Sequence, residues 1–166
     1  MPEKRYILNQ EELAQKLHRM SLELAENLSG NDAPVLLIGI RSSGSTMAEK
    51  IGILLKQYIA NPMQIISMQL DKDFPTDVTL SQKVDLNGIN IVVIDDVANS
   101  GKTLLYALKP LLEAHPKSIQ TMVLVERMHK LFPVKPDYVG LSLSTTKENH
   151  IQVEVLGGEL TGAFVI

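Results

Sequence analysis

Residues 91–103 read IVVIDDVANSGKT: an apolar run, two adjacent aspartates, a stretch of small residues and the start of a helical pattern. Such an apolar run is typical of a strand buried on both faces at the centre of a parallel sheet. Because parallel strands are joined by helices, the segment predicts one strand–loop–helix unit of an α/β fold. Ligands of open α/β sheets bind at the carboxyl ends of strands, so the loop is also a candidate functional site.

Apolar runs and helical patterns alternate along the rest of the chain. The clearest helix follows Asn9, a good N-cap residue, with Glu11 and Glu12 in the first turn, where the helix dipole favours acids. Strands alternating with helices predict an α/β fold with a doubly wound, mainly parallel sheet and flanking helices. We expect strands at residues 35–40, 64–70, 89–94, 119–125, 138–143, 151–155 and 163–166, a loop at 41–44, and helices at 45–58 and 101–114.

Residues 71–87 differ from the rest, because they are polar and show no sustained periodicity. We interpret them as a long surface excursion with short antiparallel strands. Loops of this length in compact domains are often lids or binding loops, although a surface loop without a role fits the sequence equally well. The length of 166 residues and the absence of a linker-like segment predict a single domain over residues 1–166.

Composition narrows the class of protein. Hydrophobic residues make up 45% and charged residues 21%, which argues against disorder. The chain has no cysteine, which excludes disulfides and thiolate zinc sites and fits a reducing cytoplasm. We expect no signal peptide, no membrane span and a cytoplasmic location. The net charge of −3 argues against a dedicated nucleic-acid-binding domain, which usually carries a basic excess.

The loop after residue 94 combines groups with different chemical uses. The backbone N–H groups of residues 98–103 can form an anion nest at the start of the following helix, and Ser100 and Thr103 add hydroxyl donors. Asp95 and Asp96 would repel a phosphate, so we expect them to face hydroxyl groups or a hard cation such as Mg²⁺. A ligand that carries phosphate, a diol and Mg²⁺ suits the whole segment.

Two other interpretations of the segment are weaker. A nucleotide-binding P-loop is suggested by Gly101-Lys102-Thr103, but that motif needs another glycine five residues before Gly101, at the position of Asp96. An aspartate there would direct a negative charge into the phosphate cradle, so we reject the P-loop. A purely structural strand end with a capped helix would explain one aspartate and one serine, but not the full set.

The segment 95–103, DDVANSGKT, closely resembles the signature with which type I phosphoribosyltransferases bind 5-phosphoribosyl-1-diphosphate (PRPP). Ser100 stands where that family usually has threonine, which keeps the hydroxyl. The resemblance covers nearly the whole chain and is strongest to the pyrimidine-operon attenuator/uracil phosphoribosyltransferase (PyrR) family. It includes residues 38–44 (IGIRSSG), residues 124–140 (LVERMHKLFPVKPDYVG) and the loop at 144–146.

The resemblance implies a type I phosphoribosyltransferase fold with a small hood and a flexible lid, and a displacement at ribose C1 in which a nucleobase attacks as diphosphate leaves. It implies catalytic roles for Asp95 and Asp96, which would hold the ribose hydroxyls and the waters of Mg²⁺, and for Arg41, which would stabilise the departing diphosphate. The implied PRPP-binding residues are Val97, then Ala98, Asn99, Ser100, Gly101, Lys102 and Thr103 for the 5′-phosphate, and Ser42, Ser43 and Gly44 for the diphosphate. Glu126 and Arg127 would bind the base.

The base is the part of the reaction that the resemblance defines least. Residues 67–75 lack the tyrosine and arginine of the pyrimidine family's lid, and Met128 replaces a glycine. Two residues argue against a 6-oxopurine as the substrate base. Asn99 stands where the purine transferases usually have aspartate, and Glu126 stands where they have lysine. Uracil is therefore our first choice.

Two functions other than turnover stay open. One is a PRPP or nucleotide sensor without activity. The other is an RNA-binding regulator of pyrimidine genes, since the resembling family binds messenger RNA. The surface that would bind RNA is a basic patch made of Arg127, His129, Lys130, Lys135 and Lys147.

Enzymes of this class also commonly form homodimers or larger assemblies, and we expect such an assembly here.

Overall fold

The computed structural model describes residues 2–71 and 73–166. Lys72, which belongs to the predicted excursion at 71–87, lies outside the described residues. The elements, in chain order, are β1 (Arg5–Leu8), α1 (Gln10–Asn27), β2 (Val35–Ile40), α2 (Arg41–Leu55), β3 (Met63–Gln69), β4 (Thr79–Leu80), β5 (Asn90–Ala98), α3 (Lys102–Ala107), β6 (Ser118–Arg127), β7 (Tyr138–Leu143), β8 (Ile151–Leu156) and β9 (Glu159–Val165), with a 3-10 helix at Lys109–Glu113.

The central sheet has the strand order β4-β3-β2-β5-β6-β7. Its strands are parallel except β4, a short antiparallel edge strand paired with β3. Strand β2 lies between β3 on one side and β5 on the other, so the winding direction reverses there. In open α/β sheets such a reversal opens a crevice at the carboxyl ends of the two strands, in this case β2 and β5. The predicted doubly wound, mainly parallel sheet is confirmed.

Apolar layers cover both faces of the sheet. All six residues of β2 are buried. Because successive side chains of a strand point to opposite faces, Val35 and Leu37 join the core beneath α1 and α2, whereas Leu36, Ile38 and Ile40 join the core beneath α3. This burial on both faces explains why β2 is an uninterrupted apolar run.

A second, three-stranded antiparallel sheet has the order β1-β9-β8. Leu8, Leu160, Ala163 and Val165 bring it into the same core as α1 and α2. This small sheet is the hood that the resemblance implies. Strand β1 was not predicted from the sequence. It forms by pairing with β9, whose partner residues lie 155 to 160 positions further along the chain, rather than from a local apolar pattern.

The structure corrects several predicted boundaries, and three of them lie at the ends of the elements that form the crevice. The predicted loop at 41–44 is the first turn of α2, which begins at Arg41. Strand β5 does not end at residue 94 but continues to Ala98. The single helix predicted at 101–114 is divided into α3 and a 3-10 helix that contains Pro110. Proline lacks an N–H group and its ring clashes with the carbonyl four residues earlier, which ends the α-helix. None of the helices among residues 2–71 and 73–166 is both long and apolar enough to span a membrane.

Candidate active site at the carboxyl ends of β2 and β5

The crevice between β2 and β5 brings two predicted segments together. Strand β2 leads directly into the first turn of α2, and β5 leads through residues 99–101 into α3. A Cβ atom on Gly44 would lie 2.8 Å from the carbonyl oxygen of Ile94 and 3.6 Å from Asp95 Oδ1. Glycine is therefore required for the first turn of α2 to approach β5. The predicted diphosphate loop and the acidic segment are thus in contact.

A cavity of about 260 Å³ lies at the carboxyl end of β5. The cavity is formed by the loop and first turn that the sequence assigned to phosphate binding, together with one residue from the segment after β3. It is lined by Asp73, Asp95, Val97, Ala98, Asn99, Ser100, Gly101, Lys102, Thr103 and Leu104. A cavity therefore lies at the residues for which the sequence predicted phosphate binding, and its use by a phosphate stays a prediction.

The two aspartates occupy different environments. Asp95 is 2% exposed and lines the cavity, and its Oδ1 accepts a hydrogen bond from Asp96 N at 2.9 Å. Asp96 is half-buried and lies outside the cavity lining, and its Oδ1 accepts a hydrogen bond from Val97 N at 2.8 Å. This difference follows from the extension of β5, because successive side chains of a strand point to opposite faces. The two carboxylates do not form one continuous surface of the cavity.

The loop between β5 and α3 is held by backbone and hydroxyl contacts. Gly101 has φ 86°, in the left-handed region that glycine adopts without strain. Ser100 Oγ accepts a hydrogen bond from Lys102 N at 3.2 Å, and the carbonyl oxygen of Ser100 accepts bonds from the N–H groups of Leu131 and Phe132, both at 3.0 Å. Helix α3 has only six residues, so its dipole is small and an anion would depend on the loop itself.

The two cations predicted to contact PRPP both donate hydrogen bonds to the segment that follows β3. Arg41 Nε lies 2.7 Å from the carbonyl oxygen of Leu70. Lys102 Nζ lies 2.8 Å from the carbonyl oxygen of Asp73. Arg41 is also the one non-glycine residue of the described chain with a positive φ, at 55°. Such a backbone conformation is uncommon for a residue with a side chain and is often found at functional sites.

The remaining predicted diphosphate residues form the start of α2. Ser42 is exposed and Ser43 half-buried, while Gly44 is buried against β5. All of them lie outside the lining of the 260 Å³ cavity. The candidate site therefore has one part at the end of β5 and another at the end of β2.

The predicted base-binding residues lie at the end of β6, next to β5. Glu126 is 7% exposed, and its carboxylate accepts hydrogen bonds from Lys130 Nζ and, at 3.1 Å, from Ser142 Oγ. Arg127 is half-buried and donates a hydrogen bond to the carbonyl oxygen of Asn149. Glu126 is thus already engaged on both oxygens, and a base could contact it only by displacing one of these partners.

Two buried polar atoms near this strand end make no hydrogen bond within the part of the chain that the structure describes. They are Arg127 Nε and Thr145 Oγ1. Buried polar groups usually have partners, so such atoms indicate a position where a ligand or water would bind. The sequence did not single out Thr145, although its loop was part of the resemblance. A threonine next to a predicted strand end was the available signal.

The carboxylates at the end of β5 are of the kind that hold a magnesium ion bound to a phosphorylated ligand. No group of three or more His, Asp or Glu side chains arranged for a metal occurs among residues 2–71 and 73–166. Mg²⁺ usually keeps several waters and is held by one or two carboxylates together with substrate phosphates. Asp95 and Asp96 supply oxygen donors of this kind at the end of β5.

The comparisons with known proteins agree with this geometry. The family model described as phosphoribosyl transferase domain matches residues 5–157. The Bifunctional protein PyrR of Bacillus velezensis is 29% identical over 168 residues, covering 93% of this chain and 92% of the relative. The Bifunctional protein PyrR of Bacillus mycoides has the same identity and coverage.

Solved structures show the same fold. The hypoxanthine phosphoribosyltransferase of Trypanosoma cruzi has a TM-score of 0.75 at 16% identity, over 84% of this chain and 81% of that one. A hypoxanthine-guanine phosphoribosyltransferase from Bacillus anthracis has a TM-score of 0.70 at 20% identity, over 86% and 85% of the two chains. The match to the family model spans most of the sequence. This chain therefore belongs to the phosphoribosyltransferase family, as a type I enzyme similar to the PyrR proteins.

Proposed function

We propose that the protein transfers the 5-phosphoribosyl group from PRPP to uracil and releases diphosphate, with Mg²⁺ as cofactor. The cavity of about 260 Å³ at the end of β5 carries this proposal. It combines a hollow large enough for a phosphate with acidic residues in its lining and a loop of small residues with hydroxyl groups. Membership of the family gives the class of reaction, and the cavity supports PRPP as the donor.

In this mechanism the phosphate loop fixes the position of the ribose. Residues 97–103 bind the 5′-phosphate, with the hydroxyls of Ser100 and Thr103 as donors. Anchoring this end of PRPP holds ribose C1 in place for the incoming base, which lowers the entropic cost of the reaction. Gly101 has no side chain, so the backbone can approach the phosphate closely.

Charged residues act on the two ends of the breaking bond. Asp95 and Asp96 hold the ribose hydroxyls and place negative charge near an oxocarbenium-like transition state, which is positively charged. Arg41 and the N–H groups of residues 42–44 stabilise the negative charge that develops on diphosphate. Mg²⁺, when bound, neutralises part of the diphosphate charge and so favours its departure.

Unpartnered groups at the ends of β6 and β7 support a base site beside the ribose. Arg127 Nε is a donor and Thr145 Oγ1 can donate or accept, and both are buried without a partner in the described residues. Uracil has carbonyl oxygens and N–H groups that match such atoms. The relatives named PyrR and the residues Asn99 and Glu126 favour the pyrimidine, although the solved structures with the same fold are purine transferases.

The choice of base is tested by measuring diphosphate release with PRPP, Mg²⁺ and uracil, hypoxanthine, guanine or xanthine. We expect release with uracil at least about tenfold faster than with any purine, because unmatched buried polar groups disfavour the wrong base. Faster release with a purine would contradict uracil as the substrate. Release with none of the four would contradict turnover and leave a PRPP sensor, which calorimetry with PRPP would then detect.

RNA binding is the second candidate, favoured by the similarity to the PyrR proteins. His129, Lys135 and Lys147 are exposed, whereas Arg127 and Lys130 of the proposed patch contact other residues of the chain. We expect binding to an RNA from the organism's own pyrimidine leader to weaken with salt, with a log–log slope of about −0.7 for each phosphate contacted. No binding at low ionic strength would exclude this function.

A further inference from the structure

The chain that follows β6 returns to the phosphate loop before it enters β7. Residues 128–134 belong to the irregular chain between these two strands. The N–H groups of Leu131 and Phe132 both donate hydrogen bonds to the carbonyl oxygen of Ser100, each at 3.0 Å. One carbonyl group of the phosphate loop is thus held by two donors from the 128–134 segment.

These two hydrogen bonds set the orientation of the peptide group between Ser100 and Gly101. This peptide is trans, so its C=O and N–H groups point in opposite directions. Because the oxygen of Ser100 faces the 128–134 segment, the N–H group of Gly101 faces away from that segment. Both residues line the cavity, and an anion there needs N–H donors rather than carbonyl oxygens. The orientation of this one peptide group therefore matters for phosphate binding.

The 128–134 segment also packs directly on Gly101. A Cβ atom on Gly101 would lie 3.2 Å from the carbonyl oxygen of Phe132, and 3.6 Å from both Lys130 Cδ and the carbonyl oxygen of Val134. Contacts this close leave the phosphate loop little room to shift while the segment stays in place. The conformation of the loop thus depends on what holds the segment.

An ion pair fixes the first part of the segment to the end of β6. The carboxylate of Glu126 accepts hydrogen bonds from Lys130 Nζ and, at 3.1 Å, from Ser142 Oγ of β7. The side chains of Glu126 and Lys130 are 9% and 14% exposed, so water screens their attraction poorly. Apolar burial adds little to this part of the segment, because Met128 and Leu131 are 61% and 82% exposed. The ion pair is therefore its main anchor.

We propose that Glu126 and Lys130 are positioning residues for the phosphate loop. Glu126 holds Lys130, the stem of Lys130 packs on Gly101, and the two residues after Lys130 hold the carbonyl group of Ser100. The pair thereby keeps the N–H group of Gly101 available to the phosphoryl group of the substrate. Glu126 then acts on the phosphate end of the substrate, a role separate from the base contact that the resemblance implies. The identity of the phosphoryl ligand rests on the proposed function.

Amide hydrogen exchange tests the positioning role without a ligand. The double variant Glu126→Gln/Lys130→Met removes both charges, keeps most of both side-chain lengths and retains an oxygen for Ser142 Oγ. We expect the amide hydrogens of Leu131 and Phe132, read by nuclear magnetic resonance, to exchange about two- to tenfold faster, the effect of losing one net hydrogen bond. The amide resonance of Gly101 should also shift. The thermal unfolding midpoint checks that the variant is folded.

Two further variants separate positioning from a general loss of charge. Lys117→Met removes the charge of an exposed lysine that precedes β6, at the opposite end of that strand, and should leave exchange at Leu131 and Phe132 unchanged. Lys130→Arg keeps the cation and should keep their exchange close to that of the unaltered protein. Unchanged exchange at both amides in the folded double variant would disprove the positioning role, whatever the ligand does.

Calorimetry with ribose 5-phosphate tests the consequence for binding, because this probe carries the 5′-phosphate but no diphosphate. We expect the double variant to bind it, and PRPP with Mg²⁺, about two- to tenfold more weakly, while KM for the base stays within about twofold. A raised KM for the base with unchanged affinity for both phosphate compounds would assign Glu126 to the base and overturn the positioning role. If the unaltered protein binds neither compound, the proposed function is contradicted, and the exchange at Leu131 and Phe132 still decides whether the pair positions the loop.

Discussion

Asp96→Asn is expected to lower kcat/KM for PRPP by about two to three orders of magnitude, the effect of losing one electrostatic group aimed at a transition state. The variant loses the charge near the oxocarbenium-like centre. It keeps an oxygen that can accept the hydrogen bond from Val97 N, which lies 2.8 Å from Asp96 Oδ1. The fold should therefore survive. Steady-state rates of diphosphate release and the thermal unfolding midpoint measure both effects.

The matched control for this variant is Asp32→Asn. Asp32 is exposed and precedes β2, so it lies at the amino-terminal edge of the sheet, opposite the candidate site. The same change of charge at that position should leave kcat/KM within about twofold, as surface substitutions usually have small effects. Equal activity of Asp96→Asn and the wild-type protein would show that the catalytic site is assigned wrongly.

Lys130→Met is expected to reduce the free energy of unfolding by about 3–5 kcal/mol, because it leaves the Glu126 carboxylate buried without its cation. The side chains of Glu126 and Lys130 are only 9% and 14% exposed, so water cannot replace the lost partner well. Ser142 Oγ would remain as a hydrogen-bond donor to the carboxylate, at 3.1 Å. Urea unfolding at neutral pH measures the loss.

The double variant Glu126→Gln/Lys130→Met provides the control. Replacing both members of a buried ion pair with neutral groups is often close to neutral for stability, so most of the loss should be recovered, to within about 1 kcal/mol. A loss below about 1 kcal/mol for Lys130→Met alone would show that the pair is as weak as an exposed one. The Glu126–Lys130 pair would then add little to the stability of the fold.

The Glu126–Lys130 ion pair also lies next to the phosphate loop. The Cδ atom of Lys130 lies 3.6 Å from the position of a Cβ atom on Gly101, and the next two residues donate their N–H groups to Ser100. A chain segment anchored by the Glu126–Lys130 pair thus supports the loop that lines the cavity. We therefore expect Lys130→Met to weaken PRPP binding as well as stability.

The parts of the fold that the sequence predicted are those with local signals. Strand β2 was predicted to the residue, because its apolar run is buried on both faces and ends at a charged residue. The cap of α1 was also predicted, and Asn9 and Glu12 form a capping box. Strand β1 has no comparable signal, since its pairing with β9 depends on residues at the other end of the chain.

The candidate site also has some features that local sequence signals predict and others that they do not. The cavity lining at residues 97–104 is continuous in sequence, so one motif could predict it. The contacts of Arg41 with Leu70 and of Lys102 with Asp73 depend on the path of the chain after β3, which no motif in those residues specifies. The different surroundings of Asp95 and Asp96 follow from the length of β5, and a strand predicted to end at residue 94 could not show them.

The role of the excursion at 71–87 as a lid stays a prediction. Strand β4 confirms that it contains a short antiparallel strand, as Met68 and Gln69 pair with Leu80 and Thr79. The contacts at Asp73 and Phe74 connect its first part to the phosphate loop. Movement of this segment on binding PRPP is the property that would make it a lid.

A crystal structure with PRPP and Mg²⁺ tests most directly whether residues 95–103 bind the phosphoryl end of the substrate. We expect the 5′-phosphate inside the cavity at the end of β5, within hydrogen-bond distance of the hydroxyls of Ser100 and Thr103, and the ribose hydroxyls next to Asp95 and Asp96. Fully occupied PRPP bound elsewhere on the protein, with this cavity filled only by water, would contradict the account.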